Sequence, residues 1–291
     1  MLSRKRGLSR GQRAFSRRLL WILGSPRSGS TWLLKMLDAC PGVNGVNEPS
    51  IGRHLAPFTS EIPGARASDF GVENCTLNRV AAAGAGYFFS ERDSATWVGP
   101  LGRMICERFS TRDRFDVIAI QEPNGSQAAD MIMRAIPEAR FLFLLRDGRD
   151  VVDSERAAYA EGGWMTKRYP IRGVPAEDRL AFLEDAAFKW VWRTLIVNEA
   201  FERHPGPKLI VRYEDLRERP EAEMTRILEW VGITADVPAI VEQHSFDQAK
   251  VRGPKEFVRA ASPGGWRENL TPGEQDATAT IMQPTLDRFG Y

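Results

Sequence analysis

Residues 19–34 read Leu19-Leu20-Trp21-Ile22-Leu23, then Gly24-Ser25-Pro26-Arg27-Ser28-Gly29-Ser30-Thr31-Trp32-Leu33-Leu34. A short apolar run suits a buried strand, the glycines let backbone N–H groups turn toward an anion, and the following helix start presents unpaired donors and a positive dipole end. Strand, loop and helix in that order demand a sheet with helices packed on it. A nucleotide-hydrolysing phosphate loop reads G-x-x-x-x-G-K-[ST]; Gly24 and Gly29 keep this spacing, but Ser30 stands in place of the lysine. The fixed cation is Arg27, inside the loop. Without the lysine laid between β- and γ-phosphates, ATP or GTP chemistry with Mg²⁺ is disfavoured and a different anhydride is expected.

Two further segments follow the same grammar. Arg140-Phe141-Leu142-Phe143-Leu144-Leu145 is a continuous apolar strand of the kind buried on both faces of a parallel sheet, and Arg146-Asp147-Gly148-Arg149-Asp150-Val151-Val152-Asp153-Ser154 follows it. Taken alone, the Arg-Asp-x-Arg-Asp run is a surface ion-pair cluster. Beside the first loop it is an anion grip, because a dianionic phosphate is best held by a planar guanidinium plus a hydroxyl near a helix N-terminus. Lys208-Leu209-Ile210-Val211-Arg212 reads as another strand, ending at Tyr213-Glu214-Asp215-Leu216. Strands alternating with helices imply an α/β fold, a three-layer arrangement with a central parallel sheet flanked by helices and ligands at the carboxyl ends of its strands.

The loop Gly-Ser-Pro-Arg-Ser-Gly-Ser-Thr-Trp-Leu resembles the 5′-phosphosulfate loop of the sulfotransferases that use 3′-phosphoadenylyl sulfate (PAPS), above all the bacterial, tyrosylprotein and carbohydrate branches. Arg146 with Ser154 resembles their 3′-phosphate signature, and Ser262-Pro263-Gly264-Gly265-Trp266-Arg267 their glycine-tryptophan segment. The likeness covers residues 20–50, 117–156, 180–232 and 262–291, about half the chain. It implies PAPS as co-substrate without a metal, in-line transfer of the sulfuryl group to a hydroxyl or amine, and a P-loop-type fold. It further implies that Arg27, Ser28, Gly29, Ser30, Thr31 and Trp32 bind the phosphosulfate, Arg146 and Ser154 the 3′-phosphate, Tyr213 the adenine and Arg267, with Arg252 and Gly253, a phosphate. In the tyrosylprotein-type relatives a glutamate after the first helix removes the acceptor proton, and Glu48 occupies that place. Glu122, at the end of Val117-Ile118-Ala119-Ile120-Gln121, is the runner-up base and His54 a third candidate. Gln121 departs from the family, which has a lysine there; either Gln121 does a weaker, neutral version of that contact or another cation, Arg53 or Arg149, replaces it.

Composition fits one globular domain. The chain has 291 residues, 43% of them hydrophobic and 27% charged, and no apolar run approaches the ~20 residues that span a bilayer. Three scattered cysteines, Cys40, Cys75 and Cys106, suit a reducing cytoplasm. The formal charge is +2, yet residues 1–18 carry Arg4, Lys5, Arg6, Arg10, Arg13, Arg17 and Arg18 with no acid, leaving −5 for the rest. Residues 1–18 are therefore expected to be a flexible basic arm, and 19–291 a single domain. No pattern of aromatics and no repeat in the arm supports nucleic-acid binding, and a solvated arm is the simpler reading. Arginine-over-lysine bias with abundant alanine points to a GC-rich bacterial genome.

Residues 51–112 are rich in glycine and proline with poor periodicity, and read as an insertion that shapes the acceptor site. Ser126 reads as the N-cap of a helix through Ile132 and Ile136; residues 178–203 form a long amphipathic helix, and Pro220 opens another that ends at Gly232. The acceptor is expected to be a small molecule, a carbohydrate or a lipid, with the choice among carbohydrate, lipid, phenolic compound and peptide left open by the sequence. A nucleotide or nucleoside kinase and a non-catalytic nucleotide-binding module are the alternatives, and the oligomeric state is open.

Overall fold

The computed structural model describes residues 7–55, 93–245 and 263–291. Arg252, Gly253 and Cys75 lie outside them, as does most of the expected insertion. In chain order the elements are α1 (Arg10–Ser16), β1 (Leu19–Leu23), α2 (Ser30–Asp38), β2 (Val43–Asn47), α3 (Ile51–Leu55), α4 (Ser94–Ser110), β3 (Val117–Gln121), a 3₁₀ turn (Pro123–Ala128), α5 (Ala129–Ala135), β4 (Arg140–Leu145), α6 (Gly148–Tyr159) and α7 (Trp164–Arg168). There follow α8 (Arg179–Arg203), β5 (Lys208–Arg212), α9 (Tyr213–Glu218), α10 (Pro220–Val231), α11 (Val237–Gln243), α12 (Trp266–Asn269) and α13 (Pro272–Phe289).

Five parallel strands form one sheet in the order β2-β3-β1-β4-β5, with Trp21 paired to Ile120 on one side and to Phe141 on the other. The fold is α/β, and both faces of the sheet are covered. Leu19, Trp21 and Leu23 of β1 enter a core shared with α4, α5 and α8, whereas Leu20 and Ile22 enter a second core shared with α2, α10 and α11. Burial on both faces is why the strands read as unbroken apolar runs rather than alternating ones. Since β3 and β4 flank β1 on opposite sides, a crevice opens at the carboxyl end of β1, where ligands bind in such sheets.

Three elements differ from the sequence reading, and a fourth, β2, has no counterpart in it. The basic arm is not wholly flexible: residues 10–16 form α1, started by a reciprocal cap in which Ser9 and Gln12 bond each other's backbone, and Arg13 pairs with Glu138. Residues 94–110, inside the expected insertion, form a regular helix, α4, that buries Trp97, Leu101, Ile105 and Phe109. Gly99, Pro100 and Gly102 hide its periodicity, yet Gly102 is where α4 lies against the Ala135 carbonyl, 2.1 Å from where a β-carbon would stand. Val43–Asn47 is an edge strand that its one-sided composition conceals. Ser126 does not cap α5, which begins at Ala129; it lies within the preceding 3₁₀ turn.

There the Ser126 hydroxyl accepts from the Gly24 N–H at 2.9 Å and donates to the Gly24 carbonyl at 2.7 Å. One hydroxyl thus satisfies both backbone groups at the point where β1 becomes the loop. A second constraint is spatial: Gly24 has φ 143°, and a β-carbon would stand 2.3 Å from the Leu144 carbonyl oxygen. Among the described residues no helix is long and apolar enough to cross a membrane. Replacing Ser126 by alanine leaves two buried backbone groups without their partner, each costing about 1–3 kcal/mol. Ser126→Ala is expected to lower the urea midpoint with an unchanged slope; a wild-type midpoint shows the clasp to be dispensable.

Candidate active site

Beyond Gly24 the loop folds back with Ser25 and Ser28 buried, Arg27 at φ 68° and Gly29 at φ 89°. Gly29 is the N-cap of α2 and supplies no side-chain cap, so the first-turn amides of that helix face the crevice without one. The loop needs glycine there because the Tyr213 ring edge lies 2.4 Å from where a β-carbon would sit. Arg27 holds a left-handed conformation without being glycine, a strain that persists only where the surroundings enforce it.

Arg27 Nε donates to Ser154 Oγ at 3.0 Å, its guanidinium stands 5.2 Å from the Trp164 ring centroid, and its carbonyl accepts from Arg146 Nη1 at 2.7 Å. Three groups that the sequence assigns to two ends of one ligand therefore meet. Arg146, 7% exposed, lies 4.3 Å over the Tyr213 ring, and its carbonyl accepts from Trp190 Nε1 at 3.1 Å. Burial pulls the pKa of Arg27 down, Glu155 opposes this, and the neighbouring Arg146 charge adds to it. The two cations act on each other, and the Glu155 and Glu48 carboxylates oppose their repulsion at Arg27. Buried Ser28 Oγ and Arg146 Nε have no hydrogen-bond partner among the described residues, which suits a further anionic oxygen.

The sequence profile of the sulfotransferase family matches residues 20–237. The chain belongs to the sulfotransferase family. It is 24% identical to nodulation protein NoeE of Sinorhizobium fredii over 94% of this chain and 66% of that protein. It is 25% identical to protein-tyrosine sulfotransferase A of Caenorhabditis elegans over 75% of this chain and 50% of that one. The chain thus spans between half and two thirds of the length of these relatives. Among solved structures, mouse sulfotransferase SULT7A1 complexed with PAP superposes with a TM-score of 0.59 at 12% identity, covering 96% of this chain and 90% of that one. The sulfotransferase domain of the Synechococcus PCC 7002 olefin synthase gives 0.51 at 18%, covering 94% of each. These two likenesses bear on the fold.

In this family member the candidate bases have different surroundings. Glu48 is half-buried at the end of β2 with φ 44°; its N–H extends the β2–β3 ladder to the Gln121 carbonyl, and its Oε2 accepts from Asn124 Nδ2 at 2.9 Å. Glu122 is 1% exposed, with Oε2 accepting from the Ile51 N–H at 3.3 Å and Oε1 unpartnered among the described residues. His54 lies exposed on α3.

Gln121 donates to Ser30 Oγ at 2.8 Å and to Thr31 Oγ1 at 3.2 Å, so it braces the hydroxyls of the loop where the family has a lysine. Arg149 is committed to Asp147 by a two-pronged ion pair and stacks on Trp266. Arg53 instead borders a cavity of about 290 Å³ that shares Ser25 and Pro26 with the loop. Trp32 meets Tyr213 edge-on and donates to the His244 carbonyl. Arg267 is exposed on α12, with its guanidinium 4.5 Å from the Trp266 ring centroid. Tyr213 is 1% exposed, with Gly29 at its ring edge and Arg146 over its face, so the ring supports the loop. Sequence reasoning missed Asn124, Gln127 and Trp164; a serine- and amide-rich turn after a strand carries little signal.

Burial pushes the Glu122 carboxyl up to about 7, the Glu48 charge adds to this, and the amides of Ile51 and Ser50 oppose it. An unfolded glutamate titrates near 4.3. The folded chain therefore holds an extra proton between these values, and the contribution of Glu122 to stability falls as pH rises from about 4.5 to 7. Glu122→Gln stays neutral and is expected to gain on wild type through that window, by up to ~3 kcal/mol near pH 8. Chemical denaturation from about pH 5 to 8 checks this; a constant difference counts against it.

Proposed function

We propose that this sulfotransferase moves a sulfuryl group from PAPS, in line, to a hydroxyl or amine of a small-molecule, carbohydrate or lipid acceptor, with a carboxylate as general base. The observation that carries the reading is the Arg27–Ser154 hydrogen bond, between residues 127 positions apart, with Arg146 bonded to the same loop. The mouse structural neighbour was solved with PAP, which agrees with this donor. Bound in the crevice, PAPS supplies the phosphosulfate anhydride. Arg27 and the amides of Ser28, Gly29, Ser30 and Thr31 then stabilise charge growing on the leaving phosphate, with Trp32 closing the first turn. Arg146 and Ser154 hold the 3′-phosphate, and Arg267 contributes at the rim.

Glu48 takes the acceptor proton. Its support is position: it lies among the charges that act on Arg27, and Asn124 fixes its carboxylate. Glu122, turned toward α3 and proton-retaining near neutrality, is the lesser candidate. Cys40 and Cys106, buried and without a disulfide among the described residues, agree with a cytoplasmic setting.

Adenosine 3′,5′-bisphosphate is expected to bind at least ~10-fold more tightly than AMP in calorimetric titration, since one charge-assisted phosphate contact is worth that much. Equal binding sinks the donor assignment. Arg27→Ala is expected to lower ³⁵S transfer by ~10²- to 10³-fold, whereas Arg146→Ala mainly weakens donor binding. Activity is expected to persist in EDTA; phosphate release from ATP would instead mark a kinase, and donor binding without transfer a non-catalytic module.

Base assignment is tested separately. Glu48→Gln is expected to reduce kcat by ~10²-fold or more while Glu122→Gln retains most of it. The opposite pattern in single-turnover rates moves the role to Glu122.

A further inference from the structure

Glu48 lies in a turn that the backbone adopts only under constraint. Glu48 has φ 44° and Ser50 φ 60°, both left-handed without being glycine, with Pro49 between them. Such conformations persist only where the surroundings over-determine them. Here the contacts that hold the turn come from one short segment, residues 121–125. The Gln121 carbonyl accepts from the Glu48 N–H at 2.9 Å, Glu122 Oε2 accepts from the Ile51 N–H at 3.3 Å, and Asn124 Nδ2 donates to Glu48 Oε2 at 2.9 Å. Gly52 of α3 then lies directly on Gly125, since a β-carbon on Gly52 would stand 2.0 Å from the Gly125 carbonyl oxygen. We propose that Glu122 is a positioning residue for Glu48: by accepting from the first amide of α3 it fixes the turn that aims the base, a role separate from proton transfer. The inference rests on the reading of Glu48 as the base and deepens it.

Only Pro49 and Ser50 lie between Glu48 and Ile51, and the two ends of this bridge are pinned to consecutive residues, Gln121 and Glu122. A bridge so short has few backbone solutions. Releasing the Ile51 end lets Glu48 and Ser50 relax toward ordinary dihedrals, and that carries the Glu48 carboxylate off Asn124.

The Glu122 carboxyl is well seated for this task. It is 1% exposed, and a β-carbon on Gly125 would stand 2.4 Å from its Oε1. Its backbone N–H donates to the Ile22 carbonyl of β1 at 2.9 Å, and its carbonyl accepts from the Gly125 N–H at 3.1 Å. Glu122 thus links β1, which carries the Arg27 loop, to the turn that carries Glu48. What the link requires is an acceptor oxygen. A carboxylate, a carboxylic acid and a glutamine all offer one, whereas leucine fills similar space without it.

The test compares wild type, Glu122→Gln, Glu122→Leu and Gly52→Ala as full chains, with labelled PAPS and 2-naphthol, methyl α-glucoside, 1-octanol or water as sulfuryl acceptor. Gly52→Ala pushes α3 off the same shelf without touching Glu122. Single-turnover transfer to the best of these acceptors is expected to fall ~10- to 100-fold in Glu122→Leu and in Gly52→Ala, since a misplacement of about 1 Å can cost ~10²-fold. Affinity for adenosine 3′,5′-bisphosphate is expected to be unchanged in both, and glutamine at position 122 to restore most of the rate. A space-filling role predicts instead that leucine serves as well as glutamate, and a proton-transfer role that glutamine fails as leucine does. Hydrogen exchange of residues 48–55 in the bisphosphate complex needs no acceptor; it is expected to be ~10-fold faster in Glu122→Leu and near wild type in Glu122→Gln. Wild-type transfer or wild-type exchange in Glu122→Leu, or Glu122→Gln as slow as Glu122→Leu, overturns the inference. Wild-type transfer by Glu48→Gln instead removes the reading beneath it.

Discussion

Everything at the crevice depends on how closely the Gly24–Gly29 loop lies against its neighbours. At Gly24 the backbone touches that of Leu144 in β4, and at Gly29 it touches the ring of Tyr213, which follows β5. Neither approach tolerates a β-carbon, so the two glycines weld β1 to the strand ends that carry Arg146 and Tyr213. That contact brings the Arg27 carbonyl within reach of Arg146 and the Arg27 side chain within reach of Ser154. Two guanidiniums at such range repel, and burial makes the repulsion worse. The fold contains it with nearby carboxylates, Glu155 and Glu48 for Arg27, rather than by moving the cations apart. Positive potential stored in this way is available to a ligand with two separated anionic groups.

The elements that form this site were legible because their chemistry is local. Leu19–Leu23 and Arg140–Leu145 are buried on both faces, and a strand in that position shows as an unbroken apolar run. Loop glycines, Arg27 and the Arg146-to-Ser154 segment stand at fixed offsets from those strands. What stayed hidden depends on contacts between distant segments. Ser126 resembles a helix cap in sequence, yet its hydroxyl serves Gly24, 102 positions away. That Tyr213 lies against both Arg146 and Gly29 is likewise invisible in its local sequence. The cap of α1 was readable, since Ser9 and Gln12 have the right spacing; seven basic residues in the same stretch outweighed it.

Placing glutamine at position 121 changes how the loop is supported. A lysine there would add a third cation beside Arg27 and Arg146. Gln121 instead spends its amide on Ser30 and Thr31, fixing the hydroxyls that open α2 without adding charge. Positive charge at the crevice then rests on the two arginines. Glu122, next in sequence, follows the same logic: it is fully buried and its carboxyl is pushed up to about 7, so near that pH it carries only part of a negative charge behind the loop. Burial sorts the two carboxylates, leaving Glu48 half-exposed and oriented by Asn124 while Glu122 braces the start of α3.

Support for Arg146 reaches further than the sheet. The next residue, Asp147, donates its N–H to Glu214 Oε1 at 2.9 Å, and Glu214 Oε2 accepts from the Tyr291 hydroxyl at 2.9 Å. Tyr291 is in turn covered by the Arg212 guanidinium, 4.1 Å from its ring centroid, and Arg212 donates to the Phe289 carbonyl. Burial and the Glu214 carboxylate both raise the pKa of Tyr291, so the phenol keeps its proton and remains a donor. Asp147 meanwhile accepts from the Arg149 N–H at the start of α6, and Asp150, one turn on, accepts from the Gly264 N–H. The backbone on the far side of Arg146 is thus held by bonds from α9, α12 and the end of α13. A guanidinium on so braced a backbone loses little further freedom when it meets a phosphate, which is the physical basis of a preorganised anion site.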